Sequence, residues 1–112
     1  MHPFSLLYVQ FPSELRREVR GMVHWLKEKK RFTIVIDSGL SDQEQKKTLK
    51  HELSHILLKH YEKDHDIQAD EDEADRYADQ MTDDELNHLL TFAVKIEHLS
   101  GHFDSEYRYI PA

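Results

Sequence analysis

The sequence predicts a small α+β domain that is mostly helical and carries a short β-sheet. Residues 31–36 (RFTIVI) are rich in β-branched side chains, which favour a strand. Residues 41–44 (SDQE) and 82–85 (TDDE) are capping boxes, and each marks the start of a helix. With 112 residues the chain can build one modest core, so we expect residues 1–112 to form a single domain.

The first 60 residues are predicted to alternate between strand and helix. Residues 5–11 are expected to form a short strand, and the Phe11-Pro12-Ser13 segment to end it. Residues 13–30 place Leu15, Val19, Met22, Val23 and Leu26 at helical spacing, which predicts a helix. The strand at 31–36 follows, and the capping box at Ser41 begins a helix that we expect to run to about His60.

The second half is predicted to be helical. Residues 64–70 are a polar loop, followed by a helix over about 70–81 that packs through Ala74, Tyr77, Ala78 and Met81. We expect Asp70 to cap that helix. A third helix is predicted from the capping box at Thr82 to about Leu99, where Ser100-Gly101 would end it.

Composition narrows the chemistry. The chain has no cysteine, which excludes disulfides and thiolate ligands and fits a reducing compartment, so we expect a cytoplasmic protein. No apolar run is long enough to span a membrane. The net charge is −7, with a basic first third and an acidic run over residues 64–75. This acidic balance argues against direct nucleic-acid binding.

Residues 51–55 (HELSH) form an HExxH motif inside the helix predicted after Ser41. Helical spacing places His51 and His55 on one face, where both imidazoles can reach one Zn²⁺, and Glu52 can act as a general base toward a zinc-bound water. Leu49, Leu53, Ile56 and Leu57 fall on the opposite side, and a helix continued to His60 would place that residue among them. We therefore expect His60 not to be a ligand.

A catalytic zinc ion needs a third protein ligand. The extended HExxHxxGxxH pattern would require Gly at position 58 and His at 61, where this chain has Leu58 and Tyr61. Glu71 on the following helix is the favoured third ligand, with Glu73 and Asp70 as alternatives. Because Asp75 lies one turn beyond Glu71, it can accept the Nδ1–H of a ligand histidine and fix its tautomer.

The two motifs together resemble the ImmA/IrrE family of metallopeptidases. The family pattern is HELxHxLLH followed by an E-x-E-A-[ND]-x-[FY]-A helix, and residues 32–81 match it in order and character. The resemblance implies a small zincin-like (gluzincin-like) domain in which the HExxH helix packs against the helix carrying the glutamate ligand. It also implies one zinc ion held by His51, His55 and Glu71, with Glu52 as catalytic base.

The activity implied by the resemblance is cleavage of a protein partner, which in known members is often a helix-turn-helix transcriptional repressor. A second hypothesis is a zinc-binding regulatory protein of the same fold that binds a partner without cleaving it. It is motivated by Gln80-Met81-Thr82, which stands where the family usually has a Leu-Leu-Met-Pro-like segment.

Overall fold

The computed structural model describes residues 1–14, 18–62 and 66–112. Within those ranges it contains five strands, three α-helices and one short 3-10 helix. The strands are β1 (Phe4–Gln10), β2 (Gly21–Leu26), β3 (Arg31–Asp37), β4 (Ala93–Phe103) and β5 (Tyr109–Ile110). The α-helices are α1 (Asp42–Leu57), α2 (Ile67–Gln80) and α3 (Asp83–Leu90), and the 3-10 helix Lys27–Lys29 lies between β2 and β3. The fold is therefore α+β, as the sequence predicts, but the expectation of a mostly helical domain with a short sheet is wrong, because the described residues form a five-stranded sheet.

The described strands form one sheet in the order β2-β3-β1-β4-β5. The central strand β1 is parallel to both of its neighbours, β3 and β4. The outer strands β2 and β5 are antiparallel to β3 and β4. All three α-helices lie in the connection between β3 and β4, and none of the described helices is long and apolar enough to cross a membrane.

The main core lies between α1 and one face of the sheet. Alternate residues of β1 and β3 point into it, and the apolar side of α1 packs on them; the buried members from these elements are Phe4, Leu6, Phe32, Ile34, Ile36, Leu49, Leu53 and Ile56. Each such side chain contributes roughly 1.5–3 kcal/mol by leaving water. Val9, Phe11 and Val35 form a smaller cluster on the opposite face of the sheet. The main core fixes α1 against the sheet and turns its other side outward.

The helix predicted over residues 13–30 is wrong where the structure describes that segment. Residues 21–26 form β2, which pairs antiparallel with β3 from Gly21↔Ile36 to Leu26↔Arg31; residues 15–17 lie outside the described residues. Lys30, in the left-handed region with φ 48°, helps to reverse the chain between the two strands. Pairing with β3, the next strand along the chain, therefore overrides the local apolar spacing, as is common for short segments.

The third helix is shorter than predicted. It begins at the expected cap, where Thr82 Oγ1 accepts a hydrogen bond from Glu85 N, but it ends at Leu90. Residues 93–103 form β4, which pairs with β1, so the predicted helical continuation to Leu99 is wrong. Gly101 lies inside this strand rather than at a helix end. A Cβ there would stand 2.1 Å from Ile110 O, so β5 can pair closely only with glycine at this position.

The helices that build the site begin close to their predicted positions. Ser41 Oγ accepts from Glu44 N at 3.2 Å, as expected for the first residue of a capping box. The second helix starts earlier than predicted, because Asp66 is its cap and accepts from Ala69 N at 3.1 Å. Asp70 is therefore not the cap, and residues 67–70 of the predicted loop are helical. Residues 63–65 lie outside the described residues.

The C-terminus of α1 is a Schellman motif built on a lysine. Lys59 N donates to Ile56 O at 3.1 Å and His60 N donates to His55 O at 3.1 Å. Lys59 adopts φ 59°, a left-handed conformation in which this motif usually places glycine. The helix therefore ends at Leu57 rather than at His60, and the chain folds back over the last turn.

We predict that Lys59→Gly stabilises the protein, because glycine adopts the left-handed conformation without the Cβ penalty. The expected gain in free energy of unfolding is on the order of 0.5–1 kcal/mol, measured by urea denaturation. Lys59→Val should destabilise, since a β-branched residue is strained at positive φ. A Lys59→Gly variant less stable than the wild type would contradict this account of the helix end.

Candidate metal centre

His51 and His55 lie on the face of α1 that points away from the sheet. Leu49, Leu53 and Ile56 hold the opposite face in the core, so the two imidazoles project from a fixed helix. The Nε2 atoms of the two rings are 3.1 Å apart. Their side chains are 18% and 13% exposed, which leaves them open to a ligand on one side only.

Glu71 on α2 completes a triad with these histidines. Its Oε2 lies 2.7 Å from His51 Nε2 and its Oε1 lies 3.3 Å from His55 Nε2. The two helices approach closely because α2 faces α1 with the small buried side chains Ala74 and Ala78. Of the three carboxylates left open by the sequence, Glu71 is therefore the one brought to both histidines.

The triad fits a divalent metal ion. Among the described residues, one ligand atom from each of His51, His55 and Glu71 lies within 4.8 Å of the others. Two imidazole nitrogens and one carboxylate oxygen are a known ligand set of catalytic zinc, in which water takes the fourth position. Tetrahedral zinc separates its ligand atoms by about 3.3 Å. Two of the observed separations, 3.1 and 3.3 Å, are close to this value, and the third, between His51 Nε2 and Glu71 Oε2, is shorter at 2.7 Å.

Asp75 also contacts the pair, one turn beyond Glu71. Its Oδ1 lies 2.7 Å from His51 Nδ1, on the side of the ring away from the triad. With Nδ1–H donating to the carboxylate, a neutral His51 has its lone pair on Nε2, which could bind a metal ion held between His51 and Glu71. The geometry is the one expected from the four-residue spacing of Glu71 and Asp75.

The position of His60 differs from the one that the helical pattern predicts. It lies against the site rather than among the apolar residues, because α1 ends at Leu57 and the Schellman motif folds the chain back. His60 Nδ1 is 2.8 Å from His55 Nδ1, and His60 Nε2 is 2.6 Å from Glu73 Oε1. Asp70 Oδ1 is 3.7 Å from the same Nε2. Lysine at position 59 gives no sequence signal for such a helix end.

Glu52 lies behind the histidine pair and is only 7% exposed. Burial raises the pKa of its carboxyl to about 7; the nearby charge of Glu71 also raises this pKa, and His51 lowers it. Burial also lowers the pKa of His55, which favours the neutral ring that a metal requires. Glu52 can therefore both release and hold a proton near neutral pH.

Two open clefts meet at the triad. One has a volume of about 380 Å³, and Trp25, Phe32 and Tyr61 line it together with Glu52 and His55. The aromatic rings of Trp25 and Tyr61 are 5.0 Å apart, so this cleft has an apolar wall.

The second cleft, also about 380 Å³, lies on the other side of the same carboxylates. Its lining carries more charged side chains and is mostly acidic, with Glu18, Asp75 and Asp79 beside Arg20 and Lys47. Glu52 and Glu71 line both clefts. A peptide lying in both clefts would therefore cross the triad, with an aromatic wall on one side and charged side chains on the other.

We predict that Glu52→Gln stabilises the metal-free protein at pH 8 and leaves its stability nearly unchanged at pH 4. The buried carboxyl has a folded-state pKa of about 7 against an unfolded value of 4.5, so the folded state loses stability as pH rises between them. The gain at pH 8 is at most roughly 3 kcal/mol. Urea denaturation at both pH values measures it, with Glu28→Gln on the exposed 3-10 helix as control. Equal stability of wild type and variant at pH 8 would contradict the burial argument.

Comparison with known protein families supports the reading of the two motifs. A family model described as the IrrE N-terminal-like domain of the Peptidase M78 family matches residues 5–102. That range contains the whole triad, Glu52, the three α-helices, β2 and β3, and all of β1 and β4 except Phe4 and Phe103. No curated protein and no solved structure matches the chain. The resemblance to the ImmA/IrrE family is thereby confirmed, and the chain belongs to the Peptidase M78 family of IrrE N-terminal-like domains.

Proposed function

We propose that the protein is a zinc-dependent endopeptidase that hydrolyses a peptide bond in a specific protein partner. The observation that carries this proposal is the convergence of His51, His55 and Glu71 beside the buried carboxyl of Glu52. Membership of a peptidase family supports the same reaction class. The absence of cysteine fits the reducing cytoplasm as the place where it acts.

His51, His55 and Glu71 would hold the zinc ion. A bound zinc ion supplies Lewis-acid chemistry, lowering the pKa of a water molecule and polarising the scissile carbonyl. The choice of zinc rests on the ligand set, since two imidazoles and a carboxylate suit it and no thiolate is available in the chain.

Glu52 moves the proton. It takes a proton from the attacking water and then delivers it to the nitrogen of the departing amine. This task needs a carboxyl that is ionised before attack and can hold a proton afterwards. Burial raises the pKa of Glu52 in the metal-free protein and so favours the second state, while the positive charge of a bound zinc ion would favour the first. Asp75 keeps His51 in the tautomer that leaves its Nε2 free.

The two clefts support a polypeptide substrate. A peptide crossing the triad would place an apolar side chain against Trp25 and Tyr61 on one side and a polar segment near Arg20 and Lys47 on the other. The strand β2 lies at the edge of the described sheet beside this path, so its outer backbone groups can pair with an extended chain. We propose a transcriptional repressor as the partner, on the family resemblance.

The second hypothesis is a zinc-binding regulatory protein without proteolytic activity. Such a protein would retain the triad but would not need Glu52 to transfer a proton. Burying a carboxyl costs folding free energy, and the raised pKa of Glu52 reflects that cost. A buried carboxyl directly beside the proposed zinc ligands is typical of a catalytic group. Its cost in folding free energy is tolerated in active sites because the group is needed for function. This observation favours the peptidase.

The test is a cleavage profile of proteome-derived peptides and of native cell extract, read by mass spectrometry of new N-termini. We expect the zinc-loaded wild type to cut beside apolar residues. Glu52→Gln should lower the rate by at least about 100-fold because it removes the proton carrier, while its zinc content stays the same. The matched control Glu28→Gln should cleave like the wild type.

Two outcomes would contradict the proposal. Cleavage that persists in Glu52→Gln would remove this residue from the mechanism. Zinc-loaded wild type that produces no new N-termini from either source would exclude the peptidase and favour the regulatory protein.

A further inference from the structure

We propose that His60 and Glu73 are positioning residues that fix the tautomer of His55 and so prepare it to bind the metal. The inference rests on the proposed function for its use of the metal, but its geometric content concerns only side chains of this chain. His51 has a carboxylate from Asp75 on its Nδ1, at 2.7 Å. The Nδ1 of His55 is 2.8 Å from another imidazole instead, that of His60.

The contact between His55 and His60 follows from the way α1 ends. In a Schellman motif the second residue past the cap returns to the third residue before it, and an apolar contact often joins their side chains. Here those two positions are His60 and His55, and the backbone bond between them measures 3.1 Å. The motif thus brings together two imidazoles, both largely buried, with side chains 7% and 13% exposed.

Glu73 sets the direction of the hydrogen bonds. Its Oε1 lies 2.6 Å from His60 Nε2, and an ionised carboxylate can only accept, so His60 Nε2–H donates to it. A neutral His60 then has a lone pair on Nδ1, which accepts a hydrogen bond from His55 Nδ1–H. The Nε2 of His55 is left with its lone pair facing Glu71 and His51. Glu73 therefore acts on the metal ligand through His60.

Two carboxylates of α2 therefore contact the histidines of the site, one directly and one through His60. Asp75 holds His51 directly, and Glu73 holds His55 through His60. Among the described residues, Asp70 also places a carboxylate near His60, with its Oδ1 3.7 Å from His60 Nε2, beyond the range of a strong hydrogen bond. We therefore expect Glu73 to contribute more than Asp70 to the positioning of His55.

The first measurement is zinc affinity, determined by competition with a chromophoric chelator. His60→Ala should weaken binding about 10-fold, as loss of a group that orients a ligand histidine typically does. Glu73→Gln should weaken it by a smaller factor. Because the two act in series, His60→Ala combined with Glu73→Gln should bind no more than about twofold worse than His60→Ala alone. The controls are His102→Ala on β4 and Asp72→Asn on α2, both exposed, which should bind like the wild type.

His60→Asn provides a rescue that a merely structural role would not predict. Its side-chain oxygen lies near the position of the histidine Nδ1 and can accept from His55, so zinc affinity should recover most of the loss. In the His60→Asn variant the asparagine oxygen accepts from His55 without help from Glu73. Adding Glu73→Gln to that variant should therefore not change the zinc affinity. Glu73 is 52% exposed, so its replacement tests the inference even if the changes at His60 impair folding.

The second measurement is the tautomer of each ring in the metal-free protein at pH 8, read by long-range ¹H–¹⁵N NMR correlation. We expect His55 to carry its proton on Nδ1 and His60 on Nε2, and His55 to become a tautomer mixture in Glu73→Gln. A His55 ring protonated on Nε2, which a cationic His60 would produce, would overturn the inference.

The outcomes separate this inference from the proposed function. Wild type that binds zinc with His60 and Glu73 variants of unchanged affinity would overturn the positioning role and leave the metal site intact. Wild type that fails to bind zinc would contradict the proposed function, while the tautomers in metal-free protein would still decide the role of Glu73.

Discussion

The close packing of α2 on α1 is the constraint on which the site depends. Ala74 and Ala78 are buried in this contact, and their small side chains allow the two backbones to approach. That approach brings Glu71 to the histidine pair at 2.7 and 3.3 Å. We expect a larger residue at position 74 to separate the helices and to move Glu71 away from the histidine pair.

The helix α1 has to satisfy two environments at once. Its apolar side supplies Leu49, Leu53 and Ile56 to the main core, and these contacts hold it in place. Its other side carries two imidazoles and the buried Glu52, whose charged form burial disfavours. Stability gained by packing on the sheet offsets this polar cost, a balance that is typical of functional sites. Lys50 adds a further tie, since its Nζ donates to Met81 O at 2.9 Å and anchors the end of α2.

The parts of the structure that could be predicted from the sequence are those whose signals are local. Three such signals are the cap at Ser41, the β-branched residues of β3 and the four-residue spacings within α1 and α2. Each of them depends only on residues a few positions apart. For this reason the sequence predicts that His51, His55 and Glu71 lie together and that Asp75 lies beside His51. The strand β2 could not be predicted, because its apolar spacing fits a helix and it becomes a strand only by pairing with β3, the next strand along the chain.

Two other differences between the predicted and the observed structure, at residues 93–99 and at His60, also have physical causes. Residues 93–99 continue an apolar helical pattern, but their partner is β1, about 90 positions earlier, and parallel pairing leaves no local signal. His60 was placed on the wrong side because Lys59 ends α1 in a conformation usually reserved for glycine. One left-handed residue thus decides whether this histidine lies in the core or beside His55.

The central claim is that α1 and α2 together form one zinc site, and metal content tests it most directly. Untagged protein purified without chelator would be analysed by inductively coupled plasma mass spectrometry, with His55→Ala, Glu71→Gln and the control His102→Ala. We expect about one zinc ion per chain in the wild type and the control, and strongly reduced zinc in the other two variants. Wild type that holds no zinc even after reconstitution, or Glu71→Gln that retains full occupancy, would contradict the account.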